Sequence, residues 1–339
     1  MKAKKTRGNM SLREFSRLCG VSIATVSRVF ANKCNVTDKT KKHILDLADS
    51  MNFRPSPIAK SIFGGRTQII GVLLQNLQVG YFADILTGIQ QILFEKEYVP
   101  IVFESKGDYR KYLRRFSEYR VDAIIANMDT SSISKDDLVS FLRSDIPVIM
   151  VDSPNLSSFD SVGTDDYMGG RLAAEHLLRL GHREIAVFSG SQSPTYSPRL
   201  EGFRHKLKDQ GLHIREGNII RYEDNEEESL REALKKILQS RHPPSAIFAV
   251  SDYIARMIIY HARGLGVRVP EDLSVVGYAD LEFVKWLTPS LTTIHQDGLE
   301  VGRQAAVMAV DRIKNASMPL QQNIIPVKLE ERNSTCRRK

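Results

Sequence analysis

Short apolar runs alternate with helical patterns from Gln68 onward, and this alternation narrows the choice of fold more than any other feature. The apolar runs that read as strands are residues 69–74, 100–103, 123–126, 148–151, 185–189, 219–222, 246–250 and 274–277. The helical patterns between them include residues 84–96, 167–180, 199–210, 226–239 and 252–263. Continuous apolar strands separated by helices are typical of parallel sheets that carry helices on both faces. The sequence therefore predicts an α/β core.

The number of strands indicates that this core has two lobes. Eight strands fit two successive sheets better than one, and the division is expected near Val162. A helical pattern at 299–314 precedes a ninth strand at 324–329, so we expect the chain to cross back between the lobes. The expected lobe 1 comprises residues 67–162 and 292–320, and the expected lobe 2 comprises residues 163–291 and 321–332.

The segment at residues 11–30, SLREFSRLCGVSIATVSRVF, reads as two short helices separated by a turn at Gly20. Glycine adopts the positive φ that such a turn requires, and Ser22 is suited to cap the second helix. In that helix the inward positions are Val26, Val29 and Phe30, and the outer positions are Ile23, Ala24, Ser27 and Arg28. Small, apolar and arginine side chains on an outer helix face fit the major groove of DNA. The alternative is an ordinary helical hairpin in a core.

A third helix and a linker complete the N-terminal segment. Thr37 is the expected N-cap of a helix over residues 38–51. The residues before Pro55 and Pro57 must be extended, and the apolar segment at 58–63 can form a short helix after them. We therefore expect a helix-turn-helix domain at residues 1–56, a linker with a short helix at 57–66, and the core at 67–339.

Basic residues are concentrated in this N-terminal segment. The net charge is +8; residues 1–66 contain 14 Lys or Arg and 4 Asp or Glu, a net of +10, so the remainder carries −2. A basic excess confined to one segment is expected if that segment alone contacts DNA phosphates. A solvated basic tail would account for residues 2–7 but not for the basic residues inside the helical patterns.

Other classes of protein fit the chain poorly. It has no run of 18 apolar residues and no secretory signal, so we expect a cytoplasmic protein without membrane contact. Its three cysteines form no CxxC pair, and neither a metal nor another cofactor is expected. The glycine patterns of dinucleotide sites, P-loops and hydrolase nucleophile elbows are absent, so an enzyme is not expected. A solute-binding protein for transport is a more remote alternative.

Six motifs in order resemble the LacI/GalR family of bacterial transcription regulators, and the resemblance covers essentially the whole chain. LCGVSIATVSRV from Leu18 resembles the family's helix-turn-helix signature, and FRPSPIAKSI from Phe53 resembles its hinge helix. The core motifs are GHREIA from Gly181, RLEGF from Arg199, VVGY from Val275 and PSLTTI from Pro289. The resemblance implies an all-α helix-turn-helix headpiece and a core of two Rossmann-like lobes, similar to the periplasmic sugar-binding proteins. It also implies a homodimer.

The resemblance assigns DNA contacts within the second helix. Ile23 and Ala24 occupy positions that contact base edges, where apolar side chains would read thymine methyl groups or tolerate several bases. Arg28 is the hydrogen-bonding reader, with guanine as its expected target and a phosphate contact as the alternative. The residues expected at phosphates are Ser22, Thr25 and Ser27.

The hinge is expected to add contacts in the minor groove. Lys60 would lie near the DNA backbone, and Ile62 occupies the place of the family's leucine wedge, which unstacks and kinks the duplex. The alternative for Ile62 is packing against the core. A two-fold dimer requires a double-stranded operator that is near-palindromic and bent at its centre.

A small-molecule effector is expected in the crevice between the lobes, beyond the carboxyl ends of the strands. Tyr81 and Phe82 follow the first strand and are suited to stack on a flat or sugar-like ring. By resemblance, Arg199 holds effector hydroxyls or carboxylates. Asp165 and Asp252 begin helices, so capping is an equally good interpretation of both. Effector binding is expected to act by population shift: it closes the lobes, alters the dimer interface of the N-terminal lobes and thereby orders or melts the hinge helices.

Two departures from the family's pattern concern this effector. Ala279 stands where the family often has an effector-binding aspartate, with Asp280 next, and Ser251 stands where many members have asparagine. A sugar, another metabolite and a protein partner therefore all remain open as the controlling ligand. Trp286 is expected to pack near the lobe hinge, or else to add aromatic surface to the cleft. Three aspartates suggest a carboxylate cluster without an accompanying nucleophile: Asp152, Asp165 and Asp166.

Overall fold

The computed structural model describes residues 10–30, 36–53, 66–105, 107–128, 146–153, 159–189, 196–221 and 227–338. Its helices are α1 (Leu12–Leu18), α2 (Ile23–Phe30), α3 (Asp38–Ser50), α4 (Gly80–Glu95), α5 (Arg110–Glu118), α6 (Asp166–Arg179), α7 (Tyr196–Asp209), α8 (Glu227–Leu238), α9 (Asp252–Gly264) and α10 (Gly298–Lys314). Its strands are β1 (Ile69–Leu74), β2 (Val99–Glu104), β3 (Ala123–Ala126), β4 (Val148–Val151), β5 (Asp160–Thr164), β6 (Ile185–Phe188), β7 (Ile219–Ile220), β8 (Ala246–Ala249), β9 (Ser274–Ala279), β10 (Thr292–His295), β11 (Gln322–Ile325) and β12 (Lys328–Glu330). The predicted hinge, with Lys60 and Ile62, lies outside the described residues.

The first three helices pack around an apolar core of their own. Gly20 has a φ of 67° in the turn between α1 and α2, and the Ser22 hydroxyl accepts a hydrogen bond from the Thr25 N–H at 3.1 Å. Thr37 likewise caps α3. The buried side chains of this core are Phe15, Cys19, Val26, Val29, Ile44, Ala48 and Phe53. The predicted helix-turn-helix and both predicted caps are confirmed.

The rest of the described chain forms two six-stranded sheets. Lobe 1 has the strand order β11-β5-β4-β3-β1-β2, and lobe 2 has the order β12-β10-β9-β8-β6-β7. The pairings are parallel except between β10 and β12, which are antiparallel. The predicted α/β core of two parallel-sheet lobes is therefore confirmed, with one antiparallel edge strand that the sequence pattern did not predict.

The predicted lobe boundaries are wrong near the C-terminus. β10, expected in lobe 1, pairs with β9 of lobe 2, and β11, expected in lobe 2, pairs with β5 of lobe 1. The ninth predicted strand is in fact two strands, β11 and β12, one in each lobe. The chain thus crosses between the lobes after β5, after β10 and after β11. These three crossovers bring the lobes together at one junction.

Each lobe contains two helices whose backbones touch at glycines. In lobe 1, a Cβ on Gly302 of α10 would lie only 2.0 Å from the carbonyl oxygen of Ile85 in α4. In lobe 2, a Cβ on Gly170 of α6 would lie 1.9 Å from the carbonyl oxygen of Arg199 in α7. Only glycine permits such a close approach of two backbones. The contact at Gly170 holds α7 close to α6, which follows the first crossover.

Within the described ranges, no helix is long and apolar enough to cross a membrane. The same residues contain no group of three or more His, Cys, Asp or Glu side chains arranged to hold a metal ion.

Candidate functional site

Polar side chains from both lobes meet where the crossovers join the sheets. Asp152 follows β4, Thr164 ends β5, Asp166 begins α6 and Gln296 follows β10. We call the connected set the junction cluster; it consists of Tyr81, Asp152, Thr164, Asp166, Arg199, Tyr278 and Gln296. Its position at the carboxyl ends of parallel strands is where open α/β sheets bind ligands.

Arg199 lies at the centre of the junction cluster. Its guanidinium donates hydrogen bonds to Asp166 Oδ1 at 3.1 Å, to the Val250 carbonyl at 2.8 Å and to Gln296 Oε1 at 3.3 Å. Its Cζ also lies 3.8 Å from the ring centroid of Tyr278. Although burial by itself lowers it, the negative charge of Asp166 holds the pKa of Arg199 above its usual value. A buried cation with this many partners fixes the surrounding groups in one arrangement.

Asp166 and Gln296 connect two of the crossovers. The Tyr278 hydroxyl donates to Asp166 Oδ1 at 2.9 Å. Gln296 Nε2 donates to Thr164 Oγ1 at 2.6 Å and lies 3.3 Å from Asp166 Oδ1. The Gln296 amide therefore contacts β5 of lobe 1 and the start of α6 in lobe 2, so a change in the angle between the lobes must alter its contacts.

Tyr81 and Asp152 form the lobe 1 side of the junction cluster. The Tyr81 hydroxyl donates to Asp152 Oδ2 at 2.6 Å, and the Thr164 N–H donates to Asp152 Oδ1 at 3.1 Å. Burial, reinforced by the charge of Asp166, raises the pKa of Asp152 to about 6. The Tyr81 ring, predicted to stack on an effector, is buried inside lobe 1. Phe82 stays partly exposed, with its ring centroid 5.8 Å from that of Tyr81.

Asp165, Ser251 and Asp252 have partners within the protein. Asp165 caps α6 and Ser251 caps α9 through their side-chain oxygens. Asp252 is fully buried and accepts hydrogen bonds from the Thr293 hydroxyl at 2.6 Å and the Leu281 N–H at 2.9 Å. Burial raises the pKa of Asp252 to about 6. Capping accounts for the position of Asp165, while Asp252 holds the turn after β9.

Asp280 lies in that turn, where Ala279 and Asp280 have φ values of 121° and 58°. Its carboxylate accepts a hydrogen bond from the Arg332 guanidinium at 2.6 Å and lies 3.0 Å from His295 Nδ1. Although burial by itself raises it, these hydrogen bonds hold the pKa of Asp280 below its ordinary value. The carboxylate next to Ala279 is thus engaged by the protein itself.

A groove with aromatic walls opens beside the junction cluster and has a volume of about 350 Å³. Both lobes contribute to its lining, which consists of Gln78, Gly80, Tyr253, Leu281, Glu282, Phe283 and Trp286. The Tyr253 hydroxyl donates to the Gln78 carbonyl across the groove at 3.3 Å. The predicted packing role of Trp286 is wrong: the short 3-10 helix Glu282–Trp286 leaves this side chain 79% exposed.

Sequence reasoning did not single out Thr164, Gln296 or Tyr278. Thr164 ends β5 and Gln296 follows β10, the two strands that the apolar pattern missed, so their position at strand ends is visible only once those strands are assigned. Asp152 and Asp166 do stand out in the sequence as part of a carboxylate cluster. The structure brings both of them into the junction cluster.

Helix α2 keeps part of its predicted outer face accessible. Ile23 and Ala24 are partly exposed, and Arg28 is exposed. Ser22 is exposed, and its hydroxyl lies 2.9 Å from that of the partly exposed Thr25. The prediction that Ser27 lies on the outer face is wrong, because a position three residues before Phe30 turns toward the inward side of the helix, and Ser27 is only 7% exposed.

Comparisons with known proteins match both parts of this arrangement. Residues 11–56 match the family described as bacterial regulatory proteins, lacI family, and residues 174–335 match a periplasmic binding protein-like domain. An HTH-type transcriptional repressor PurR from Photobacterium profundum is 32% identical over 311 residues, which cover 90% of this chain and 92% of that protein. The chain belongs to the LacI family of bacterial transcriptional regulators. The predicted family is therefore confirmed, and its members are DNA-binding regulators rather than enzymes.

Solved structures of LacI-family proteins share the fold. A lac repressor dimer bound to operator and the anti-inducer ONPF superposes with a TM-score of 0.82 at 24% identity, covering 97% of this chain and all of that one. A LacI-family regulator from Enterococcus faecium with bound ribose gives a TM-score of 0.71 at 29% identity, covering 80% of this chain and 100% of that chain. A CelR–cellobiose complex gives 0.69 at 25% identity, covering 96% of this chain and 99% of that chain. The predicted headpiece and two-lobed core are confirmed as the LacI-family fold.

Proposed function

We propose that this LacI-family protein is a repressor that binds a near-palindromic operator as a homodimer and responds to a small molecule in the cleft between its lobes. The observation that carries the proposal is the accessible face of α2, in a headpiece attached to a two-lobed core with a polar cluster at its junction. The lac repressor that shares this fold is described as a dimer bound to operator.

The headpiece has the side chains that such a role requires. Ile23 and Ala24 are proposed to contact base edges through thymine methyl groups, and Arg28 to donate hydrogen bonds to guanine. Ser22 and Thr25 are proposed to contact phosphates. Lys60 and Ile62 remain predictions for the hinge.

Replacing Arg28 by Ala is expected to weaken binding to a specific duplex about 5- to 150-fold, because a bidentate contact to guanine contributes about 1–3 kcal/mol of discrimination. The duplex is selected from a random library with the wild-type protein, and affinities are compared at one salt concentration. Arg17→Ala, which removes an exposed cation from α1, is the matched control. Equal weakening on all sequences would make Arg28 a phosphate contact, and failure to select any palindromic duplex would overturn the operator proposal.

The dimer is proposed to form through an aromatic strip on lobe 2. Trp286 and Tyr260 are 79% and 70% exposed, and Arg256 lies over the rings of Tyr253 and Phe283 at 5.6 and 5.5 Å. Exposed aromatic and arginine side chains of this kind are typical of protein interfaces.

Replacing Tyr260 by Glu is expected to weaken dimerisation at least about tenfold, because a two-fold interface places two added charges in one desolvated patch. Sedimentation of the 38.3 kDa chain measures the effect. Ile324→Glu changes a side chain that is 71% exposed on β11 of lobe 1, and this control is expected to stay dimeric. A monomeric wild type, or a Tyr260→Glu protein that dimerises normally, contradicts this placement.

The effector is proposed to bind beside the junction cluster. Ser105 Oγ and Asn127 Oδ1 are buried and have no hydrogen-bond partner among the described residues. They follow β2 and β3, at the carboxyl edge of the lobe 1 sheet, and can accept hydrogen bonds from ligand hydroxyl groups.

Thermal shift with a panel of pentoses, hexoses and disaccharides, including ribose and cellobiose, tests the class of effector. A true effector present at 100 times its Kd is expected to add about 2.7 kcal/mol of stability. Control by a protein partner is the second candidate, because the donors of Arg199 and the carboxylate of Asp280 already have partners within the protein. A flat response to the panel, with DNA binding retained, would favour that candidate over a sugar.

A further inference from the structure

Helix α10 begins at the lobe junction. Gln296 precedes it and donates to Thr164 Oγ1 at 2.6 Å, and Asp297 caps its first turn. Gly302 presses its backbone against Ile85 of α4, as described above. The helix has 17 residues, so its far end is about 26 Å from its start.

A buried ion pair joins the far end of α10 to the start of β5. Arg312 Nε donates to Asp160 Oδ2 at 2.8 Å, and Nη2 donates to Asp160 Oδ1 at 2.7 Å. Their side chains are only 11% and 6% exposed. Asp160 begins β5, and Thr164 ends it at the junction. β5 and α10 are therefore fastened to each other at both ends, and we call them the frame.

The far end of the frame also holds the chain where it leaves the predicted linker. Arg66 donates a hydrogen bond to the carbonyl of Ile313, the residue after Arg312. Just before the neighbouring strands β3 and β1, Asp122 accepts hydrogen bonds from the Thr67 N–H at 3.0 Å and the Gln68 N–H at 2.8 Å. We call residues 66–68 the linker anchor, since they join the end of the predicted linker to β1.

We propose that the frame transmits the state of the lobe junction to the linker anchor, and that Arg312 and Asp160 are positioning residues for DNA binding. Bidentate, charge-assisted hydrogen bonds have a narrow geometry, and separating a buried pair is costly. A displacement of Gln296 is therefore carried along α10 to the Ile313 carbonyl and Arg66. This inference rests on the proposed control of DNA binding from the cleft.

A double-mutant cycle read by hydrogen exchange on the full chain tests the frame without DNA or effector. Gln296→Ala loosens the junction, and it is expected to speed amide hydrogen exchange at Thr67–Ile69 at least about fivefold. In a background where Arg312→Lys has already broken the bidentate pair, adding Gln296→Ala is expected to speed that exchange less than about twofold. Thr164→Val removes the same junction bond from the β5 side and replaces Gln296→Ala if that variant does not fold. In Lys314→Ala, which changes an exposed neighbour on α10, the full effect of Gln296→Ala should persist.

DNA affinity gives a second, independent cycle. On a duplex selected with wild-type protein, Gln296→Ala is expected to change Kd at least about fivefold, and less than about twofold in an Arg66→Ala background. Arg66 is exposed, so its removal leaves the core intact. The proposal would be overturned if Gln296→Ala changed Kd equally in the wild-type and Arg66→Ala backgrounds. It would also be overturned if hydrogen exchange at the linker anchor did not respond to Gln296→Ala. If no duplex is selected, the proposed function fails, while the exchange cycle still decides whether the frame couples the two ends.

Discussion

Replacing Arg199 by Met is expected to lower the free energy of unfolding by about 3–5 kcal/mol, because removing one member of a buried ion pair leaves the other charge uncompensated. The stranded group is Asp166, whose side chain is 14% exposed and lies against the Tyr278 hydroxyl. Methionine keeps the apolar stem of arginine, so the loss of packing is small. Urea unfolding followed by circular dichroism measures the change.

Two further variants separate the charge effect from simple damage. Arg171→Met breaks the more exposed pair of α6 with Asp209, and it is expected to cost at most about 1 kcal/mol. Adding Asp166→Leu to Arg199→Met removes both charges and is expected to recover much of the loss. If the free energy of unfolding of Arg199→Met lies within about 1 kcal/mol of the wild-type value, Asp166 does not carry a buried charge.

The apolar pattern predicts the strands that are continuous apolar runs and misses β5 and β10, in which polar residues are interspersed. β1, β3, β4 and β8 are continuous apolar runs in the sequence and are fully buried in the structure. β10 contains two threonines that are fully buried because their hydroxyls find partners, such as Asp252 for Thr293. Nothing local in the sequence distinguishes such threonines from loop residues, so the strand becomes recognisable only through its pairing.

The same limit applies to helix α5 and to the exchange of strands between the lobes. Four of the nine residues of α5 are Arg or Lys, and within this helix only Leu113 and Phe116 are buried. Two apolar side chains give too short a pattern to predict the helix from the sequence. Which lobe receives β10 or β11 depends on pairing with β9 or β5, residues far away in the sequence. For the site, the sequence identifies Arg199, but its contact with Gln296 follows from a crossover that only the fold defines.

Replacing Gly170 by Ala is expected to destabilise the protein by about 3 kcal/mol, at the upper end of the usual cost of overpacking. The new methyl group would meet the Arg199 carbonyl oxygen at 1.9 Å, and a backbone atom cannot rotate aside as a side chain does. Helix α7 must move away from α6, which pulls Arg199 from Asp166.

Gly264→Ala is the matched control, since a Cβ there meets no atom within 4 Å, and it is expected to be neutral or to stabilise by up to about 1 kcal/mol. Urea unfolding of both variants gives the comparison, and equal stabilities would show that the two helices separate freely. Gly170→Ala already weakens the Arg199–Asp166 contact. The double variant Gly170→Ala with Arg199→Met should therefore lose less free energy of unfolding than the two single variants lose together. Such a shortfall would show that the glycine contact matters because it sets the position of Arg199, whereas full additivity would mean that the helix packing and the junction cluster are energetically independent.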